Sequence, residues 1–271
     1  MTPELFGILN LTRDSFSDGG SYLEPADALA HARRLVAGGA AILDVGAEST
    51  HPDSEDVDAE EELRRLRPVV ETLLSDGLVV SIDTCKPEVM AEMAALGVHF
   101  INDVDGFRAE ASWEAVADSD CRLVAMHSLA AGGRADRDAE DELAILERIE
   151  TFATELVQRA EECGVARERL ILDPGMGFFL GSRVETSCTV LAGLPRLRAL
   201  GLPLLVSTSR KSFLGQLTGR EVAERGPATL ASELHAARSG VDYIRTHDPA
   251  ALTDALTVWR ALDAAGTHDP T

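Results

Sequence analysis

Three apolar runs in this chain stop on an acid or an amide: SIDT at 81–84 on Asp83, INDV at 101–104 on Asn102 and Asp103, and LILDP at 170–174 on Asp173. Such groups suit the edge of a flat heterocycle with several N–H donors, because one carboxylate accepts two hydrogen bonds at once. A carboxylate buried without a partner is costly, and Lys211, in STSRKSFLG, is a candidate neighbour. A second set reads as cationic. Arg245 and His247 stand two apart in YIRTH, so in an extended segment they point the same way. With Asn10 and Arg13 beside them they suit phosphate or pyrophosphate. A magnesium ion travelling with that anion keeps several waters and needs one or two protein oxygens, which Asn10 can supply. A structural salt bridge is the plainer alternative for Arg245, and a helix N-cap is the alternative for any single strand-end Asp.

Something must bring these residues together, and the pattern around them says what. Apolar runs at 5–10, 41–46, 79–84, 99–104, 122–127, 169–174, 203–208 and 242–247 alternate with stretches whose apolar residues recur every three or four positions, often ended by Gly. Strand then helix, eight times, with strands too apolar to have a solvated face, predicts a parallel sheet with helices outside. The simplest closure is a (β/α)8 TIM barrel, one domain over 1–271. A doubly wound open sheet is the alternative, but no G-x-G-x-x-G follows the first strand. In the barrel, the strand ends Asn10, Asp44, Asp83, Asn102, His127, Asp173, Ser207 and Arg245 converge on one rim, where the active sites of this fold are built. The Gly-containing loops after the first two strands have the length of segments that fold over a ligand, and the first carries Phe16 in a polar run.

Bulk properties narrow the partners. The chain has 271 residues, 45% of them hydrophobic, with 46 acidic residues against 25 basic for a net charge of −21. That balance argues against nucleic acid and anionic membrane. The acidic segments DSEDVDAEEELRR and DRDAEDELAILERIE read as helix first turns and solvated faces. The four cysteines are far apart, with no C-x-x-C pair, so neither a disulfide framework nor a zinc site is expected; Cys85 reads as a small buried residue. No apolar run is long enough for a membrane span and the start lacks a secretory pattern, so the expected location is the cytoplasm.

The motifs GILNLTRDSFSDGG, DVGAEST, SIDTCKPEV, INDV, LDPGMGF, SRKSFLG and RTHD, in that order over about residues 5–250, resemble the dihydropteroate synthases. The resemblance implies a usually dimeric (β/α)8 barrel. Its reaction is a transfer that joins 6-hydroxymethyl-7,8-dihydropterin pyrophosphate to p-aminobenzoate with Mg²⁺, giving 7,8-dihydropteroate and pyrophosphate in folate synthesis. Carried over, the pterin pocket falls on Asp83, Asn102, Asp173 and Lys211, and the pyrophosphate site on Asn10, Arg245 and His247, with Asn10 near the magnesium. The p-aminobenzoate side falls on Thr50, His51, Pro52, Phe178, Phe179, Lys211 and Ser212. The implied chemistry is an SN1-like departure of pyrophosphate, with Asp83, Asp173 and Lys211 as the central groups.

The departures from the family pattern are specific. Thr50-His51-Pro52-Asp53 stands where the family commonly has Thr-Arg-Pro-Gly, and Phe178-Phe179-Leu180 follows Gly177 where many members have Phe, then Gly or Ala and Lys. FGILNLT, THPD, DPGMGFFL and YIRTHDP are similar to the sulfonamide-insensitive branch carried on mobile elements. Phe178 is expected to pack on the aminobenzoate, and Phe178, Phe179, Phe213 and His51 to shrink the space beyond that ring. Two other readings keep the pterin pocket: a non-catalytic binding paralogue, and a pterin-dependent methyltransferase, which would not need SRKSF and RTHD.

Overall fold

Every strand of the barrel is buried on both faces, and the sequence accordingly spends its apolar β-formers there. The structure, a computed structural model, describes residues 2–11, 24–48, 57–129 and 142–266. The strands are β1 (Glu4–Asn10), β2 (Ile42–Gly46), β3 (Val80–Asp83), β4 (Phe100–Asp103), β5 (Arg122–Met126), β6 (Leu170–Asp173), β7 (Leu205–Val206) and β8 (Tyr243–Thr246). Helices follow them: α1 (Pro25–Ala37), α2 (Ala59–Ser75), α3 (Pro87–Ala95), α4 (Glu110–Val116) and α5 (Glu142–Glu162) in the first five units. After β6 come α6 (Val184–Ala192) and α7 (Leu194–Arg198), after β7 come α8 (Ser212–Thr218) and α9 (Gly226–Arg238), and α10 (Pro249–Gly266) follows β8. All strands pair in parallel in the order β6-β5-β4-β3-β2-β1-β8-β7. The ends meet through one bridge, Leu172 with Leu204, where the Leu172 N–H donates to the Pro203 carbonyl at 2.9 Å. This is the expected barrel.

Register decides what the interior holds. Phe6 pairs with Ile42, Ile8 with Asp44, Gly46 with Asp83, Asp83 with Asn102 and Met126 with Asp173. Because side chains alternate between faces, one parity fills the barrel in layers. The lower layer is apolar: Phe6, Ile42, Phe100, Val124, Ile171, Leu205 and Tyr243. Phe6 lies edge-on to Phe100 and Tyr243, at 5.2 and 5.4 Å between ring centroids. Arg122 caps this layer with its guanidinium over both the Phe100 and Tyr243 rings and an N–H donated to the Tyr243 hydroxyl. The upper layer, two residues further along, is polar at Asp44, Asn102, Asp173, Ser207 and Arg245 and apolar at Ile8 and Met126. The opposite parity packs on the helices, where Ala28, Ala32 and Leu35 give α1 its buried face.

Four expectations are corrected. The apolar spacing over 185–200 predicts one helix, but the chain breaks at Gly193, where a Cβ would sit 2.6 Å from Leu146, and α7 restarts with Pro195 in its first turn, the place where a missing N–H costs nothing. α8 was not expected. The acidic segment before and into α2 is not all solvated, since Glu62 is fully buried. Cys85, expected as a small buried residue, is exposed. No described helix is long and apolar enough to cross a membrane.

Candidate active site

The upper layer of the barrel holds a compact charge network. Arg245, from β8, donates through Nε to Asp44 Oδ2 and through Nη2 to Asp83 Oδ2, the latter at 2.5 Å. Asn102 Nδ2 donates to the same Asp44 oxygen at 3.3 Å. The guanidinium is planar with five donors, so these bonds leave it further N–H groups for a ligand. The salt-bridge alternative therefore describes the ligand-free mouth without removing Arg245 from an anion's reach. Burial alone would lower the Arg245 pKa, but Asp44 and Asp83 raise it, and Arg245 is a permanent cation.

Two carboxylates share that cation. Burial is the main effect on Asp83 and pushes it up to about 7, against the pull of Arg245 and with the added repulsion of Asp44. Asp173 is pushed up to about 6 by burial, while the Gly175 N–H, donating to its Oδ1 at 2.8 Å, works the other way. Lys211 is lowered to about 8 by burial and by Arg245, with Asp173 and Asp83 opposing. Buried Asn102 and Asp173 and half-buried Asp83 and Lys211 thus share one mouth, as expected from the strand ends. Lys211 is the expected neighbour of both acids.

The turn after β6 explains the Gly-rich stretch. Gly175 has φ +74°, and a Cβ there would lie 2.2 Å from the His127 carbonyl oxygen, so only glycine lets the chain pass. Gly177, also at positive φ, lies beside Ser212 and Lys211. A short 3₁₀ turn over Gly177–Leu180 then places the two rings. Phe178, expected against the aminobenzoate, is 44% exposed, whereas Phe179 is 8% exposed and lies under Lys211, with Nζ 4.7 Å from its ring centroid. The backbone carbonyl of Phe179 accepts from Leu129 N–H, which fixes the turn to the end of β5.

His247 lies just beyond β8, with Nδ1 2.9 Å from the Ser209 hydroxyl. Burial, Arg210, Arg245 and Lys211 lower it to about 3, which favours the neutral imidazole in the ligand-free mouth. Asn10 sits at the mouth beside Gly46, where a Cβ would meet Asp83 Cβ at 3.4 Å and Asn10 Oδ1 at 3.8 Å. The bare backbone at Gly46 keeps a cradle open between those two residues. Among the described residues no three His, Cys, Asp or Glu side chains cluster to hold a metal.

Two strand-end residues leave the site. Asp103 faces away from Asn102 and accepts from the Asp105 and Phe107 N–H groups, each at 2.8 Å, so it holds the β4–α4 turn. His127 packs edge-on to Phe152, outside the barrel. Two residues enter without having been assigned a role. Asp44 is fully buried at the hub of the network, and its signal was a carboxylate in mid-strand at interior parity. Arg225, at the start of α9, lies across Gly215 and donates to the carbonyls of Arg210 and Arg220. It braces the turn that carries Lys211, Ser212 and Phe213. No spacing in the sequence marks it. Arg13, Phe16, Thr50, His51 and Pro52 lie outside the described residues.

Comparison with known proteins gives this geometry its context. Residues 6–247 match the family model described as pterin binding enzyme. The chain is 45% identical over 260 residues to the type-3 dihydropteroate synthase of Escherichia coli, covering 96% of this chain and 99% of that one. A dihydropteroate synthase of Xanthomonas albilineans solved with 4-aminobenzoic acid superposes with a TM-score of 0.88 at 43% identity, covering 97% of this chain and 94% of that one. The same Xanthomonas enzyme with 7,8-dihydropteroate superposes with a TM-score of 0.85 at 41% identity, with the same coverage of both chains.

Proposed function

Because the chain belongs to the dihydropteroate synthases, a family of pterin-binding enzymes, we propose that its polar mouth divides three tasks among named side chains. The reaction is the transfer of a dihydropterin methylene from pyrophosphate to p-aminobenzoate. The observation that carries the assignment is the convergence of buried Asn102 and Asp173 with half-buried Asp83 and Lys211 at one mouth of the barrel.

Asp173, Asn102 and Asp83 hold the N–H edge of the pterin, and Lys211 supplies a donor on the same ring. As pyrophosphate leaves, positive charge grows on the methylene and the electron-rich ring. Asp83 stabilises it, and catalysis is electrostatic stabilisation and positioning without a covalent enzyme intermediate. Arg245 keeps its bonds to Asp44 and Asp83 and turns its remaining N–H groups to the pyrophosphate, joined by neutral His247 as a hydrogen-bonding group. The cradle at Asn10 and Gly46 fits a magnesium ion held mostly by pyrophosphate oxygens and water, with the Asn10 amide oxygen as protein ligand. A magnesium ion held there by Asn10 would supply charge neutralisation for the leaving group. Thr50, His51, Pro52, Phe178, Phe179, Lys211 and Ser212 form the p-aminobenzoate side. The chain acts as one barrel domain, as a homodimer in the cytoplasm.

Phe179 supports a second element of the reading, insensitivity to sulfonamides. Its buried ring under Lys211 is wall, not surface, and it limits the space beyond the aminobenzoate ring. A sulfonamide carries a bulky group past that limit, and the clash discriminates.

Pyrophosphate release from dihydropterin pyrophosphate with Mg²⁺, with and without p-aminobenzoate and sulfamethoxazole, tests both. Release that requires p-aminobenzoate and persists in excess drug is the expected result. Release abolished by low drug removes the insensitivity alone. Pterin binding without release would favour a binding paralogue.

A further inference from the structure

The turn that delivers Lys211 to the mouth is held in a conformation that its residues do not favour. The Lys211 N–H donates to the Thr208 carbonyl at 3.1 Å, closing a β-turn whose third residue is Arg210, with φ +58°. A turn with positive φ at that position ordinarily takes Gly or Asn, because a larger side chain crowds the backbone there. Apart from glycines, only Phe107 shares this sign among the described residues. Strain of this kind persists where the surroundings over-determine it, and it gathers at functional sites.

The surroundings here belong to α9. The hydroxyls of Thr208 and Ser232 lie 2.8 Å apart. Thr229, buried in the first turn of α9, accepts the Arg210 N–H through Oγ1 at 3.0 Å. Arg225 donates from Nη1 to the Arg210 carbonyl at 2.9 Å and to the Lys211 carbonyl at 3.5 Å, and from Nε to the Arg220 carbonyl at 3.1 Å. Its guanidinium thus spans α8 from the residues before it to one beyond its end. Gly215 leaves the space for it, since a Cβ there would lie 2.4 Å from the guanidinium Nη2. Both backbone groups of Arg210 are therefore bonded to α9, one on each side of the strained torsion. The next residue is Lys211, whose Nζ lies over the Phe179 ring and feels the charges of Arg245, Asp173 and Asp83. Relaxing Arg210 to negative φ would turn the backbone of Lys211 and start its long stem in another direction.

We infer that Arg225 is a positioning residue for Lys211: with Thr229 it holds Arg210 in the left-handed region, and that conformation aims the Lys211 side chain into the mouth. This inference rests on the reading of Lys211 as a pterin-ring donor given above.

The test follows the Lys211 amine itself. Lys86 and Lys211 are the only lysines in the chain, so isotope-labelled lysine gives two side-chain NMR signals, and Lys86→Arg assigns them. Arg225→Ala and Thr229→Val should each move the Lys211 titration from about 8 towards the ordinary lysine value of about 10.4, because burial is the main effect that lowers it. Each should also lower kcat/KM for dihydropterin pyrophosphate about tenfold. Adding Arg210→Gly to either variant should recover most of both losses, since glycine takes positive φ at no steric cost. Arg210→Ala removes the same side chain and should recover neither. An unmoved Lys211 titration would overturn the inference, and so would a glycine that rescues no better than alanine. If Arg225→Ala does not fold, Thr229→Val, which keeps the side-chain volume, decides. Lys211→Ala separates the two ideas. If it abolishes turnover while the α9 variants leave the amine where it was, the positioning role alone fails. If it leaves turnover intact while the α9 variants move the amine, the positioning role stands and the assignment of Lys211 to the reaction does not.

Discussion

Phe179 shows how much turns on one side chain in this mouth. The ring is buried beneath Lys211, while its neighbour Phe178 is exposed; on the function proposed above, a sulfonamide reaching past the aminobenzoate would meet a ring whose turn is fixed. Phe179→Gly should lower the sulfonamide inhibition constant by about tenfold or more, the equivalent of about 1.4 kcal/mol or more of relieved clash. It should cost about 3 kcal/mol of stability as a large-to-small core change, so inhibition is read against the folded fraction. An unchanged inhibition constant would remove Phe179 from the discrimination. The two site acids make a separate prediction about protons. Asp83, at about 7, and Asp173, at about 6, are partly protonated near pH 6.5 in the free chain, and a pterin edge donating N–H groups favours their ionised forms. Binding should therefore release protons, and affinity should rise with pH through 6 to 7. Calorimetry in two buffers of different ionisation enthalpy at pH 6.5 measures the release, and Asp83→Asn should diminish it. For folding the sign is opposite to that of a salt-bridged acid. Both values lie above the unfolded range, so the native chain holds more protons and these carboxyls weaken stability as pH rises from about 4 to 7.

Elements fix where those residues stand, and here the sequence was partly legible. The eight strands could be read because a strand covered on both faces must be apolar throughout, a signal that no surface helix imitates over so short a run. The strand ends Asp83, Asn102 and Asp173 followed from it. The face of the sheet each residue takes did not. Asn102 and Asp103 are adjacent at the end of β4, yet one lines the mouth and the other holds a turn, because a one-residue change in parity reverses the side. The divided helix after β6 and the added α8 were read less well: the apolar spacing after β6 continues past Gly193 and Pro195, and the short α8 follows a turn that Arg225 braces from the start of α9. Glu62 reads as surface acid for the same reason, since its partner Lys86 is on another unit. Gly175, by contrast, declares itself within the Asp-Pro-Gly turn. Gly175→Ala should destabilise the chain by about 3 kcal/mol, from left-handed backbone strain and the contact with the His127 carbonyl. Chemical denaturation checks this, and a loss below about 1 kcal/mol would mean that the β6 turn shifts freely.

Across the whole molecule, the barrel separates two jobs by depth. An apolar lower layer, plugged by Arg122, gives the strands a common core. The charged upper layer bears buried acids that work against folding. Ligand chemistry and stability therefore make opposing demands on neighbouring rungs of the same strands. The closure of the barrel brings those demands to one place. Between β6 and β7 the strands meet through one bridge, Leu172 with Leu204, where every other junction is a ladder. The wall is thinnest there, and local openings of a native protein begin where few bonds must break. Asp173 ends one side of this gap and Lys211 follows the other, so a pterin held by both would lace the seam from above. The amide of Leu172, which crosses to Pro203, should exchange its hydrogen faster than those of β1 to β4 in the free chain. It should slow by about tenfold or more once the pterin is bound, a closing worth at least about 1.4 kcal/mol. Exchange that ignores the ligand would mean that Asp173 and Lys211 do not grip it together. A substrate that slows it acts, while it is bound, as the missing rungs of the barrel's own wall.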